Sequence, residues 1–133
     1  MSTDTPLAAI HRYIEAFNAG DAAAMAATFT DQGSILDGMA PHSWQGPSAA
    51  TDWYRDVLAE GERHGASGYA VTLDEPLHDD VTGDAAYVVV PATMTFDVRG
   101  TRVNQVGASF TVALSRSPGG WRISAWAWSK GRQ

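Results

Sequence analysis

The sequence predicts an α+β fold in which three N-terminal helices pack against a curved, mostly antiparallel sheet. Up to His64 the apolar residues recur at helical spacing, whereas from Tyr69 onward they alternate with polar ones. β-branched and aromatic residues also become frequent in this second part, as is usual for strands. Short connections between the later segments are typical of an antiparallel meander. Helices followed by such a meander define an α+β arrangement.

Three helical segments are expected before the strands. The first begins after Thr5, a favourable N-cap followed by Pro6, and ends at Gly20. A short second helix covers 22–27, and a third covers 47–64. Between them the sequence predicts a short extended piece at 34–37 and a loop rich in glycine and proline at 38–47.

The remaining chain reads as four strands. They are expected at about 68–78, 85–98, 102–115 and 120–129, separated by turn sequences that contain glycine. The 133 residues suit one domain, and nothing in the composition suggests a second, so we expect a single domain over 1–133.

Composition excludes several classes of function. Fifteen acidic against nine basic residues give a net charge of −6, which disfavours nucleic acid as a partner. No apolar run approaches the roughly 20 residues that span a bilayer, so we expect no membrane association and a cytoplasmic location. Without cysteine, and with its four histidines scattered, the chain has no recognisable metal site. Nucleotide and dinucleotide motifs do not occur, and no cofactor is expected.

The order of elements and several motifs resemble the nuclear transport factor 2-like superfamily over essentially the whole chain. Within it, the first half is similar to ketosteroid isomerases and SnoaL-like polyketide cyclases. The residues that carry the resemblance are Arg12-Tyr13, Asn18-Ala19-Gly20-Asp21, Phe29, Asp37, Gly46, Trp53-Tyr54 and Trp121-Arg122-Ile123. The resemblance implies a cone of sheet and helices that encloses an apolar pocket.

The resemblance also implies catalytic roles for three residues. Asp37 would move a proton between carbons, Tyr13 would donate a hydrogen bond to the enolate oxygen, and Tyr54 would support Tyr13. The isomerases use a protonated aspartic acid on a later strand as a second oxyanion donor, but here that position falls at Ser109 or Ala108. Since neither is a carboxylic acid, we expect any steroid isomerisation to be less efficient than in the isomerases.

Each of these residues has a structural alternative. Tyr13 and Tyr54 lie on apolar helical stripes, where a tyrosine usually fills the core and its hydroxyl bonds the backbone. Asp37 precedes Gly38, and aspartate before glycine often forms a turn.

The expected ligand is a small apolar or polycyclic molecule. Residues assigned to its binding are Phe17, Phe29, His42, Trp44, Trp53, Val57, Met94, Phe96 and Ser109. His42 is also a candidate proton shuttle, because it would titrate near neutral pH. The sequence thus predicts an isomerase- or cyclase-like enzyme, with a non-catalytic ligand-binding or dimeric interaction module as the alternative. Epoxide hydrolysis ranks last, since it would need several convergent carboxylates.

The last two strands predict an assembly. Both of their faces are apolar, with Phe110, Trp126 and Trp128 on one side and smaller residues, including Ile123 and Ala127, on the other. One face would therefore be covered by a second copy in a homodimer, unless the tryptophans simply fill the pocket.

Overall fold

A computed structural model of the chain describes residues 4–132. Its helices are α1 (Pro6–Ala19), α2 (Ala22–Ala27) and α3 (Ala49–His64). Its strands are β1 (Phe29–Leu36), β2 (Ser43–Gly46), β3 (Ala66–Leu73), β4 (His78–Thr82), β5 (Ala85–Val98), β6 (Thr101–Ser117) and β7 (Gly120–Ser129).

All seven strands belong to one sheet. Its order is β2-β1-β7-β6-β5-β3, and β4 pairs with β5 as well. Every pairing is antiparallel except that of β1 with β7, which is parallel. The helices pack on one face of this curved, open sheet, so the predicted α+β class is confirmed.

Local sequence explains the ends of the helices. The Thr5 side chain accepts a hydrogen bond from the backbone N–H of Ala8 at 3.0 Å and so caps α1. Gly20 ends the helix in the left-handed conformation at a φ of 70°, where a side chain would be strained. Just before it, Asn18 bonds both backbone groups of Val71 in β3, which fastens the end of α1 to the sheet. None of the described helices has the length and apolarity needed to cross a membrane.

Two segments differ from the sequence prediction. The loop expected at 38–47 contains the short strand β2, which pairs with a β1 longer than the expected 34–37. The strand expected at 68–78 is broken into β3 and β4, with Pro76 inside the break. Proline has no backbone N–H to donate to a neighbouring strand, and this explains why the strand is interrupted there.

The face of the sheet toward the helices carries the large residues of the last strands. Trp126 lies opposite Val112, and Trp128 lies opposite Phe110. A register shift near Ser124 also turns Ile123 inward, where it is fully buried opposite Leu114. The expectation that Ile123 shares the opposite face with Ala127 is therefore wrong, because a strict two-residue alternation does not allow for the extra residue.

Candidate functional site

A cavity of about 380 Å³ opens between α1, α3 and the sheet, with the loop after β1 at its mouth. This volume lies near the lower end of the range for small-molecule pockets, roughly 300–1000 Å³. Its wall is mainly apolar. The lining residues are Tyr13, Ile14, Phe17, Asp37, Gly38, Met39, Ala40, Trp53, Val57, Glu60, Tyr69, Val71, Met94, Gln105, Phe110, Trp126, Trp128 and Lys130.

The Asp37 carboxylate faces this cavity from the end of β1. Its Oδ2 accepts a hydrogen bond of 2.8 Å from the indole Nε1–H of Trp53 on α3. Its Oδ1 has no hydrogen-bond partner within residues 4–132. The turn after β1 is held instead by backbone groups and by the His42 ring, which lies 3.2 Å from the Asp37 carbonyl oxygen. One carboxylate oxygen is thus held by Trp53, and the other has no partner among the described residues.

Tyr13 enters the cavity from α1 and is almost completely buried, with 2% of its surface exposed. Phe29 meets its ring edge-on, and Phe110 stacks against it. Its hydroxyl has no hydrogen-bond partner among the described residues. Burial raises the pKa of this hydroxyl well above its ordinary value, and the negative charge of Asp37 adds to the effect. Tyr13 therefore remains a neutral donor.

The indole of Trp126 lies beside Tyr13, with 6.1 Å between the ring centroids. It is close enough for its N–H to counteract part of the rise in the Tyr13 pKa. The two groups nevertheless do not meet hydrogen-bond geometry, and Nε1 of Trp126 is likewise buried without a partner in the described chain.

The mouth of the cavity is more polar than its interior. Glu60 accepts hydrogen bonds from Arg63 and from the His64 ring, and these partners lower the pKa of its carboxyl. Lys130 extends along Gly38, where a Cβ would lie 2.9 Å from its Cε. The cavity thus has an apolar, aromatic interior and a charged rim.

Half of the residues predicted from sequence line the cavity. The six are Tyr13, Phe17, Asp37, Trp53, Val57 and Met94. They come from α1, the end of β1, α3 and β5, so the fold brings together residues that are far apart in the chain.

Tyr54 is not where the resemblance implies. It packs edge-on against Phe17, but its hydroxyl lies 3.3 Å from the Cβ position of Gly20 at the end of α1. It makes no hydrogen bond to Tyr13. The cavity side of α3 is the stripe of Trp53 and Val57, and Tyr54 lies one position around the helix from that stripe.

Three more predicted binding residues lie outside the cavity near β1 and β2. Phe29 packs behind Tyr13 in the core. Trp44 is buried on β2 and donates its indole N–H to Asp56 at 2.8 Å. His42 is exposed and bonds the backbone of Asp37. These side chains lie behind the cavity wall or on the turn after β1, because β2 pairs with the outer edge of β1.

Phe96 and Ser109 are also outside the cavity. Phe96 packs on Tyr69 two residues beyond Met94, past the point where the cavity ends. Ser109 lies between the inward-facing Ala108 and Phe110, so strand alternation turns it to the opposite face. Of the two candidates for the second oxyanion donor, the inward one is thus Ala108, which has no donor.

Sequence reasoning missed several lining residues. Phe110, Trp126 and Trp128 carried a signal, since they share one strand face, but that face was not assigned to the pocket. Glu60, Gln105 and Lys130 gave no pattern before the fold placed them at the rim. No group of three or more potential metal ligands occurs in the described part of the chain.

The structure is similar to several solved structures. A ketosteroid isomerase-like protein from Erwinia carotovora atroseptica SCRI1043 superposes with a TM-score of 0.75 and 23% identity, over 95% of this chain and 93% of that one. A nuclear transport factor 2-like superfamily protein from Salmonella enterica gives a TM-score of 0.76 and 21% identity, over 94% and 87%.

A third similar structure is described as having a cystatin-like fold. An NTF2-like protein with a cystatin-like fold from Novosphingobium aromaticivorans gives a TM-score of 0.71 and 23% identity, over 92% of this chain and 77% of that one. At these identities the likeness shows the fold alone. No curated protein matches the sequence.

The match to a family goes further than shared fold. A model of the SnoaL-like domain matches residues 7–131, which include all of α1 except Pro6, the other two helices, all seven strands and every residue of the cavity wall. The resemblance inferred from the motifs is confirmed, and the chain belongs to the SnoaL-like family within the nuclear transport factor 2-like superfamily.

Proposed function

We propose that this protein is an enzyme that moves a proton next to the carbonyl group of a small apolar ketone, as an isomerase or cyclase does. The observation that carries the proposal is the pairing of Asp37 and Tyr13 in one apolar cavity. Each has an atom without a hydrogen-bond partner in residues 4–132, namely Oδ1 of Asp37 and the hydroxyl of Tyr13. A general base and an oxyanion donor are the two groups that this chemistry needs.

The reaction balances without a co-reactant. Asp37 takes a proton from the carbon beside the carbonyl, the C–H electron pair forms a carbon–carbon double bond, and the carbonyl electrons move onto oxygen. Tyr13 donates a hydrogen bond to this enolate oxygen. The protonated Asp37 then returns the proton to another carbon in an isomerase. In a cyclase the enolate carbon instead attacks a second carbonyl of the same molecule, the π electrons of that carbonyl move onto its oxygen, and this oxygen takes the proton from Asp37.

The surroundings of Asp37 suit this role. The bond from Trp53 fixes the plane of the carboxylate, so Oδ1 keeps its direction while the substrate is bound. Around it, Trp53, Phe17 and Val57 exclude water and lower the local dielectric, which strengthens a hydrogen bond from Tyr13. The mostly apolar wall recognises shape more than identity, and its volume favours a small ligand.

Asp37→Asn tests the proposal directly. The substitution keeps size and shape but removes the proton acceptor, so turnover should fall by about 10² to 10⁴. The assay would follow conjugated products of a panel of β,γ-unsaturated ketones and cyclisable polyketide mimics by ultraviolet absorbance, with affinity measured by calorimetry. Tyr13→Phe should also lower turnover.

The main alternative is a ligand-binding module without catalysis. Tight binding of panel members with no turnover by the wild type would favour it and would overturn the enzyme proposal. Turnover that is unchanged in both Asp37→Asn and Tyr13→Phe would also remove the assigned roles.

We further propose that the protein is a homodimer built on the sheet face opposite the helices. That face has small residues at its centre, where Ala127 pairs with Thr111 and Ala125 with Ala113. Exposed Leu36 and Tyr87 lie in the same rows, at 57% and 49% exposure. An apolar sheet face is usually covered. Light scattering should give twice the chain mass of 14.2 kDa at micromolar concentration, and a monomer mass would refute the proposal.

A further inference from the structure

We propose that the indole N–H of Trp126 is a second donor to the substrate oxygen, so that Tyr13 and Trp126 together form a two-donor clamp at the inner end of the cavity. The inference deepens the proposed function and rests on it, because it assigns a further residue to the same site. It also defines the ligand class as an uncharged planar ketone, or its enol or phenol counterpart.

Neither donor is paired with another group of the described chain. Tyr13 and Trp126 are 2% and 4% exposed, and neither the hydroxyl nor the indole N–H has a partner in residues 4–132. Leaving a buried donor unpaired is costly, and most folded proteins avoid it. These are the two buried side-chain polar atoms without a partner in that part of the chain, and both belong to residues that line the same cavity. A ligand oxygen would satisfy both.

The packing around Trp126 relates the clamp to the base. Trp126 meets Trp53 edge-to-face, with 4.9 Å between ring centroids, and Trp53 bonds Asp37. On its other side Trp126 neighbours Tyr13 at 6.1 Å. Asp37 and the two donor residues thus line one cavity and are joined through Trp53, so a ligand whose oxygen the clamp holds would have its remaining atoms in the cavity that Asp37 also lines.

Trp126 also provides a hydrogen-bond donor that the neighbouring strand β6 does not direct toward the cavity. The inward position on β6 is Ala108, which has no donor, while the serine beside it faces the other side of the sheet. Trp126 on the adjacent β7 has an N–H at the inner wall. In this proposal the second donor lies on β7 and not on β6, and it is a neutral N–H where the isomerases use a carboxylic acid.

The clamp selects the ligand by chemistry. A carbonyl oxygen has two lone pairs and can accept from both donors, while indole and phenol groups donate without carrying charge. Lys130 is the cation of the cavity wall, and it lies at the mouth beside Gly38. A carboxylate or phosphate at the inner end would be desolvated without a counter-ion, which is unfavourable. An uncharged ketone or enol pays no such penalty.

The test compares 2-naphthol, a stable mimic of an enol, with naphthalene, which has the same rings but no oxygen. Dissociation constants of both would be measured by calorimetry for the wild type, Trp126→Phe, Tyr13→Phe and Trp128→Phe. The ratio of the two affinities reports the hydrogen bonds to oxygen, because loss of wall area affects both ligands. One lost hydrogen bond should reduce the ratio by about tenfold.

Trp128→Phe is the matched control. It removes an indole from the same strand and the same cavity, but its N–H is not one of the two buried donors that lack a partner in residues 4–132. We expect the naphthol preference to fall in Trp126→Phe and in Tyr13→Phe, and to stay within a factor of two or so in Trp128→Phe. Naphthalene binding shows that each variant retains a folded cavity.

Two outcomes would overturn the inference. One is a naphthol preference that is unchanged in Trp126→Phe while it falls in Tyr13→Phe, which would leave Tyr13 as the single donor. The other is an equal fall in Trp126→Phe and Trp128→Phe, which would reduce Trp126 to a wall residue. Failure of the enzyme proposal gives a different result. In that case no ketone is turned over, but the ratio of naphthol to naphthalene affinity still falls in Trp126→Phe and Tyr13→Phe.

Discussion

Replacing Trp53 by phenylalanine tests whether its hydrogen bond orients the carboxylate of Asp37, the base of the proposed reaction. The substitution keeps an aromatic ring against Phe17 and Trp126 but removes the N–H that Asp37 Oδ2 accepts at 2.8 Å. If the proposed function holds, Asp37 stays in the cavity, but its carboxylate rotates more freely. Trp53 is then a positioning residue, and its effect on the reaction passes through Asp37.

The structure sets the size of the effect. A hydrogen bond to a charged group contributes about 1.5–3 kcal/mol net. Asp37 is only half-buried, so the lower end of this range applies. Since 1.36 kcal/mol corresponds to tenfold in rate, kcat should fall by about tenfold. In an Asp37→Asn background the same Trp53 substitution should cost little further rate, because the group that it positions is already inactive.

Trp44 offers a matched control. It donates to Asp56 at the same 2.8 Å, from a position that is equally buried but outside the cavity. Trp44→Phe therefore loses the same bond and a similar ring volume, and both variants should lose stability toward urea to a similar extent. Only Trp53→Phe should lose kcat. Equal rates in the two variants, measured on a ketone that the wild type converts, would refute the positioning role.

Three further predictions concern the scaffold and the buried phenol. Asn18→Ala should lower the free energy of unfolding by about 1–3 kcal/mol in urea titration, because both backbone groups of Val71 lose their partner; an unchanged midpoint would contradict this. Gly61→Ala should destabilise by up to about 2 kcal/mol despite better helix propensity, since its Cβ would lie 2.8 Å from the Ala66 carbonyl oxygen, and a raised melting temperature would count against it. Tyr13 has a folded-state pKa above its ordinary value of 10.0, so the unfolded chain releases this proton first and stability falls as pH rises beyond about 10. Urea midpoints between pH 9 and 11 should decline less in Tyr13→Phe than in the wild type, and parallel curves would exclude Tyr13 as a source of the alkaline loss.

The sequence predicted the class of the fold because hydrophobic period depends on local residues alone. The change of period after His64, the cap at Thr5 and the stop at Gly20 were sufficient for the helices and the long strands. Strand faces were harder, since one extra residue at Ser124 reverses the side on which its neighbours lie. The sequence gives no local sign of that shift, and Ile123 was misplaced for this reason.

For the site, too, local sequence did not show which side chains face the cavity. Asp37 and Tyr13 were found through a family motif, and the fold places both at the cavity. Tyr54 shared the motif but lies one helical position away from the cavity side of α3, a difference of about 100° around the axis. Gln105 and Lys130 reach the rim only through the pairing of long strands, which sequence spacing does not encode.

The unsatisfied donors connect stability with function. A core made only to be stable would pair the Tyr13 hydroxyl and the Trp126 N–H or replace both residues by apolar ones. Tyr13→Phe should therefore leave the unliganded protein as stable as the wild type at neutral pH, or more stable, although it removes a group from the proposed site. Asn18 supplies the contrast, because its side-chain hydrogen bonds are all made within the fold and its loss has to weaken the structure. A substitution that lowers ligand affinity but not stability identifies a side chain whose hydrogen-bond partner is the ligand. We expect this result for Tyr13 and Trp126, because their buried donors have no partner among the described residues.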